Sequence, residues 1–354
     1  MTLGKLEIAE ERQIIAVSIL RSLIREIMTL ANCAEDISEV VSEHLVGSNL
    51  AGVESHGVMR VMQYVQQFES GYMCAAGRPA LARKSNGAWF VDGKRGIGIP
   101  AMIMAVEQGC RVAKETGVSA VALTNCGHTG RLGAYAELGA QSDCLTIIVG
   151  GGNRKEWPMV TPFGGKKAIL PTNPYAFGIP GGDRGPVVMD FATAKIAGGW
   201  IYAAKSAGAF LPPGAVIDSR GCPTTDPDDY FDGGAILPFG GPKGYGLALV
   251  AELIGEAMLG PVTAEMNWFV ICVDISGYNC PQRYRVVAEE ILAEIRACPP
   301  ASPYERVEIP GEREREHHDR TEQVGVALPP KTWMQMNALA ARLRATRTGE
   351  ELGG

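Results

Sequence analysis

Two histidines stand in glycine-flanked turns, Glu54-Ser55-His56-Gly57-Val58-Met59-Arg60 and Asn125-Cys126-Gly127-His128-Thr129-Gly130. Imidazole titrates near neutral pH, so a histidine in a cleft is the usual proton donor or acceptor of a catalysed reaction. Of the five histidines, His317 and His318 are adjacent in a charged stretch, which leaves His44, His56 and His128 where a folded interior or cleft could use them. Arg60 follows His56 by one helical turn, and a guanidinium grips a carboxylate with two parallel hydrogen bonds. A proton donor beside an anion anchor is the minimum equipment for handling a small oxoacid.

Other residues invite chemistry less directly. Ser55 and His56 with a later acid such as Asp190 suggest a hydrolase, but adjacent side chains diverge and no G-x-S-x-G elbow surrounds Ser55. His128 follows a strand and precedes a helix start, the place where α/β sheets bind ligands and where free backbone N–H groups hold anions. Asp190 ends a strand, which suits helix capping or orientation of an imidazole. Lys243, in Gly240-Gly241-Pro242-Lys243-Gly244, could reach a phosphate as a point charge, although the block lacks the pattern of a Walker loop. Gly96-Ile97-Gly98-Ile99-Pro100-Ala101 fits G-x-G-x-x-A between a strand and a helix. The following strand ends at Leu123-Thr124-Asn125 with no acid to grip a ribose, so the segment reads as a tight strand-to-helix turn.

The elements that must position these residues follow from periodicity. Apolar side chains recur at helical spacing over 6–31, from Asp36 to about Leu50, and over 57–70, so the first 70-odd residues are expected to be helical. From Trp89 the texture becomes mixed. Strands are expected at 88–92, 118–123, 145–149, 168–170, 175–179, 187–190 and 269–275, and helices at 100–115, 132–142, 245–259, 284–296 and 330–346. Intermixed strands and helices indicate an α/β fold. Residues 205–245, rich in Gly and Pro, read as a long functional loop, and 311–320 as a solvated charged surface.

Composition bounds the rest. A chain of 354 residues suggests two domains, and a net charge of −6 without a basic stripe gives no reason to expect nucleic acid. No apolar run reaches the ~20 residues that cross a bilayer, and the N-terminus is unlike a signal peptide. Nine cysteines without Cys-x-x-Cys spacing read as reduced cytoplasmic thiols and no metal site is expected.

At these residues the chain resembles the type-2 malate/L-lactate dehydrogenases, a family that includes ureidoglycolate, sulfolactate and diketogulonate enzymes and Δ1-piperideine-2-carboxylate reductases. Ser55–Arg60 matches its Ser-His-Gly-x-x-Arg, with Tyr64 in place, and Gly127-His128 matches its Gly-His turn, with Tyr135 in the helix beyond. Thr172-Asn173-Pro174, Asp190-Phe191-Ala192-Thr193, Pro223–Pro227, Leu237–Gly244 and Pro310-Gly311-Glu312 follow in the family's order, from about residue 8 to 345. Departures are Arg131, Gly150-Gly151-Gly152, Ala194, Trp200 and Ala215.

The resemblance implies an oxidoreductase using NAD or NADP, a homodimer, acting on a small carboxylate. It implies a sheet domain at about 81–270 that binds nicotinamide without a Rossmann fold. A helical domain would be built from 1–80 together with 271–354. The acid/base candidates are His56 and His128, with Ser55 and Asp190 assisting, and Arg60, Tyr64 and Thr172 would meet the substrate. The cofactor would lie against His128, Thr129, Gly130, Arg131 and Leu132, against Gly152 and Asn153, and against Asp190, Phe191 and Ala192. Lys243, Gly311 and Glu312 would complete its site. The expected reaction is hydride transfer between nicotinamide and C2 of a 2-hydroxy acid or 2-oxoacid. The alternative is reduction of a cyclic 2-imino acid, and a remote one is a non-catalytic nicotinamide-binding protein.

Overall fold

The order in which strands enter the main sheet shows why the histidine turn lies where it does. The computed structural model describes residues 11–353. Its seven-stranded sheet runs Ala80–Arg83, Trp89–Asp92, Val118–Thr124, Asn267–Asp274, Cys144–Gly151, Pro174–Ile179 and Val187–Ala192. Only Trp89–Asp92 and Val118–Thr124 pair in parallel, through the crossover helix Gly98–Thr116; every other neighbouring pair is antiparallel. The central strand therefore arrives last, and its Trp268 lies in register with Gly150 on one side and Leu123 on the other. Gly150 makes room for that indole, which a Cβ there would strike.

A mixed α/β fold is thus present, with two principal cores. One lies between the sheet and the helices Gly98–Thr116 and Leu132–Gln141, with Val121, Leu123, Ile148 and Val270 fully buried. The other is helical. In Val17–Leu30 the buried residues Val17, Leu20, Ile24, Ile27 and Met28 follow a helical stripe, each large apolar side chain worth about 1.5–3 kcal/mol on full burial. That stripe packs with Glu35–Leu50, Arg60–Glu69 and the C-terminal helix that begins at Pro330, through Met336, Ala340 and Leu343.

Several expectations are corrected. Gln13–Ile15 is a strand, not part of a helix; it pairs antiparallel with Val326–Leu328. β-branched Ile14 and Ile15 favour extended backbone, and the partner lies at the far end of the chain, beyond any periodicity test. The part of the expected helix before residue 11 lies outside the described residues. Residues 168–170 form only an isolated bridge from Leu170 to Val160. The supposed long loop 205–245 holds a small three-stranded sheet, Val216–Ile217, Pro223–Thr224 and Ala235–Ile236, around a core that includes Ile201 and Val216. The charged stretch after Gly311 is the helix Glu312–Val324, whose His317 ring nitrogen is 2.6 Å from the Leu50 carbonyl.

Candidate active site

His128 sits between the end of Val118–Thr124 and the start of Leu132–Gln141. Backbone bonds hold this turn against the Gly-rich segment: Gly127 N–H donates to Gly96 O (2.8 Å), and Gly98 N–H donates to His128 O (3.0 Å). A Cβ at Gly98 would strike the Gly127 carbonyl. The G-x-G-x-x-A pattern is therefore explained by close backbone approach to the histidine turn. Gly130, at φ 73°, faces the His44 ring where a side chain would collide, so only glycine meets both demands.

The His128 ring is fixed from two directions. The Tyr64 hydroxyl lies 2.7 Å from Nδ1, and Gly130 N–H donates to the same nitrogen at 3.3 Å. Burial pushes the Tyr64 phenol up, so it keeps its proton and donates. With two donors on Nδ1, neutral His128 carries its proton on Nε2. The His56 ring stacks on His128 with centroids 5.5 Å apart, and Ser55 Oγ lies 2.9 Å from His56 Nδ1. A hydroxyl both donates and accepts, so His56 is free to exchange tautomers.

Arg60 opens the helix Arg60–Glu69 and is braced at its base. Its Nε donates to Ser55 O (2.7 Å) and one Nη to Gln63 Oε1. Among the described residues its remaining N–H groups have no partner, and a guanidinium so placed can grip a carboxylate. Burial, reinforced by Arg60, holds His56 down at about 4 and His128 well below the usual imidazole range. Burial and then Arg131 hold His44 at about 3. All three are neutral at neutral pH.

His44 supports the turn from behind. Its Nε2 accepts the Arg131 N–H (2.9 Å), and its ring stacks on Tyr135 at 5.0 Å. The Tyr135 hydroxyl in turn donates to Thr129 O. Sequence spacing carried no link between residues 44 and 131.

Asp190 does not orient an imidazole. Its Oδ2 accepts Gly133 N–H at 2.7 Å, so it caps Leu132–Gln141, whose first amides lack partners inside the helix. Ser55 does meet His56. Thr172 presents its carbonyl to both the amide (2.8 Å) and the hydroxyl (2.9 Å) of Thr193.

Among the residues expected around a cofactor, three turn inward. Gly152 N–H donates to Glu252 Oε1 (2.8 Å), and Asn153, 2% exposed, donates to the Glu265 carbonyl. Glu312 is buried in an ion pair with Arg296 (2.8 Å). In each case a polar group removed from water has found its partner inside the protein. Thr129 and Leu132 are buried in the turn itself. Arg131 keeps its Nε buried without a partner among the described residues. Phe191 stacks with Tyr175 (6.0 Å) and Phe177 (6.3 Å) and meets Phe239 edge-on, while Ala192 is half-buried beside it. Lys243 is exposed at the second position of the helix Pro242–Glu252. Gly311 follows Pro310, whose carbonyl accepts Val188 N–H (3.1 Å), two residues before Asp190 in sequence. Among the described residues no three of His, Cys, Asp and Glu converge as metal ligands, and no helix is long and apolar enough to cross a membrane.

The sequence profile of the family described as malate/L-lactate dehydrogenase matches residues 15–337. The chain belongs to the malate/L-lactate dehydrogenase family. Its relatives include the L-sulfolactate dehydrogenase of Methanothermobacter thermautotrophicus, 30% identical over 91% of this chain and 94% of that one. The Δ1-pyrroline-2-carboxylate reductase of Ancylobacter novellus is also 30% identical, over 90% of this chain and 95% of its own. Among solved structures, the sulfolactate dehydrogenase of Methanocaldococcus jannaschii superposes with a TM-score of 0.83 at 29% identity, covering 94% of this chain and 97% of that one. This family member is an oxidoreductase of the dehydrogenase and reductase kind, acting on CH–OH or C=N bonds.

Proposed function

We propose that this member of the malate/L-lactate dehydrogenase family transfers a hydride between nicotinamide and C2 of a small 2-hydroxy acid or its 2-oxoacid. The observation that carries the reading is a pair of stacked histidines with different hydrogen-bonding freedom, His128 locked and His56 switchable, on the same segment as Arg60.

The residues present fit a dinucleotide. The unpartnered Arg131 Nε and the exposed Lys243 suit its phosphates, and the Phe191 ring cluster offers a flat apolar face. When bound, nicotinamide supplies or accepts the hydride at its C4. The unit that holds it is the seven-stranded sheet, largely antiparallel and so outside the Rossmann pattern, with the helical core of both chain ends beside it.

Arg60 holds the substrate carboxylate and orients C2, an entropic contribution on the order of several kcal/mol. His128 Nε2–H donates to the C2 oxygen and stabilises the charge that grows there on reduction. His56 moves the proton, with Ser55 Oγ exchanging donor and acceptor roles as the imidazole changes state. For a cyclic imino acid the neutral histidines favour a second reading on the same site, because a protonated imine brings its own proton. The protein is expected to act as a homodimer, and the exposed Val250, Leu253 and Met258 offer an apolar face.

Loss of NADH or NADPH absorbance, scanned over 2-oxoacids and cyclic 2-imino acids, tests the function. Turnover with at least one pair is expected. Folded protein inert with every pair overturns the reading and leaves the non-catalytic binding protein.

A further inference from the structure

The segment leading into the central strand carries one carboxylate into the protein beside the histidine turn. Glu265 is 9% exposed, and its Oε2 is buried with no hydrogen-bond partner among the described residues. Its backbone fixes it there: its N–H donates to Cys126 O (3.4 Å), and its carbonyl accepts from Asn153, itself 2% exposed. Burial raises Tyr64, Tyr72 and Cys126, and the Glu265 carboxyl adds to each in the same direction, while Arg60 pulls Glu265 itself down. Yet Arg60 spends its described bonds on Ser55 and Gln63, and no described ion pair joins it to Glu265. A carboxyl thus stands in the field of the anion anchor with no described ion pair to it.

A buried carboxyl with a free oxygen is costly to keep, and the protein places it on a backbone bonded to Cys126, two residues before His128. Burial accordingly holds Glu265 up at about 7, against the pull of Arg60. A buried acid so placed treats two kinds of ligand differently. Above about pH 7, where the group is ionised, a second anionic group brought near it meets a like charge, whereas an O–H or N–H donor meets a ready partner.

We propose that Glu265 is the charge selector of this site. It admits acids with one anionic group, which goes to Arg60, and rejects acids with a second anionic group at the far end of a four-carbon chain. A donor at that end is accepted by Oε2. This rests on Arg60 as the carboxylate anchor, the reading given above, and adds to it the class of acid that enters.

The test separates binding from turnover. Butanoate and succinate share chain length and differ by one carboxylate, and neither can exchange a hydride. Calorimetric titration of the full-length protein with each at pH 8, where Glu265 is ionised, is expected to favour butanoate by about tenfold or more, since each tenfold corresponds to about 1.4 kcal/mol of differential binding. In Glu265→Gln, which keeps the shape, the two should bind within about threefold, and Glu265→Ala should relax the preference likewise. A preference for succinate in the unaltered protein, binding of neither acid, or a ratio unchanged in both variants overturns the selector. Turnover of 2-hydroxybutanoate against malate is measured in parallel. Absence of turnover with the expected binding ratios removes the dehydrogenase reading and leaves the selector standing, while turnover with unchanged ratios does the reverse.

Discussion

The hydroxyl of Tyr64 lies 2.7 Å from Nδ1 of His128, tying the helix Arg60–Glu69 to the turn that follows Val118–Thr124. One bond thus joins the helical core to the sheet core and sets the tautomer of a histidine. Tyr64→Phe removes only the donor oxygen and leaves Gly130 N–H, at 3.3 Å, as the remaining donor to that nitrogen. The expected loss in kcat/KM is about tenfold, corresponding to the ~1 kcal/mol of a buried hydrogen bond and some loss of tautomer control. Steady-state kinetics check it, and an unchanged kcat/KM would mean that Nδ1 needs no phenol.

The two histidines should fail differently. His56→Gln removes the proton carrier and is expected to lower kcat by about 10²–10⁴-fold. His128→Gln retains an amide N–H donor, so its loss should be smaller, on the order of tenfold to a hundredfold. Reversal of that ranking would exchange the two roles.

The pH profile follows from the low position of His56. Above about 4 it is mostly neutral, so the protonated fraction falls tenfold for each further unit of pH. Reduction of a 2-oxoacid, which needs that proton, should therefore accelerate as pH falls from 8 to 6. Oxidation of the hydroxy acid, which needs the neutral ring, should stay level over the same range. Equal slopes in the two directions would contradict the assignment.

Arg60→Lys keeps the charge but loses the forked geometry and the Nε bond to Ser55 O. We expect KM for the acid to rise about tenfold to a hundredfold while Tm changes little. An unaltered KM would move the carboxylate anchor elsewhere.

Glu265 also predicts a stability effect. Its folded-state value of about 7 lies above the ordinary 4.5, so the native state keeps a proton that the unfolded chain releases between those values. Stability from this group is full below about 4.5, declines as pH rises through that window, and is lost above 7. Glu265→Gln cannot ionise and should be more stable than the parent at pH 8 by up to about 2–3 kcal/mol, with little gain at pH 4.5. Denaturant melts at the two pH values measure it, and equal differences at both would show that the carboxyl is not held protonated.

Much of the local structure was legible before folding was considered. The stripe from Val17 to Met28 follows helical spacing, and its burial needs no knowledge of the partner. The two glycine-flanked histidines, Arg60 and Tyr64 announced themselves by residue type and motif order. What spacing could not supply was the identity of partners. Asp190 suited either a helix cap or an imidazole, and the choice fell to the amide of Gly133, 57 residues away. His44 gave no sign of meeting Arg131, nor Glu265 of standing near Arg60.

By itself, then, the sequence determined many of the element types, the family and the chemistry of the individual side chains. Helical period, glycine turns and ordered motifs are written within a few residues of one another. Tertiary structure alone decided that Asn267–Asp274 enters the sheet between Val118–Thr124 and Cys144–Gly151, bringing the carboxyl of Glu265 beside the histidine turn. That choice depends on burying apolar faces and satisfying backbone donors across more than a hundred residues of chain, which no local pattern encodes.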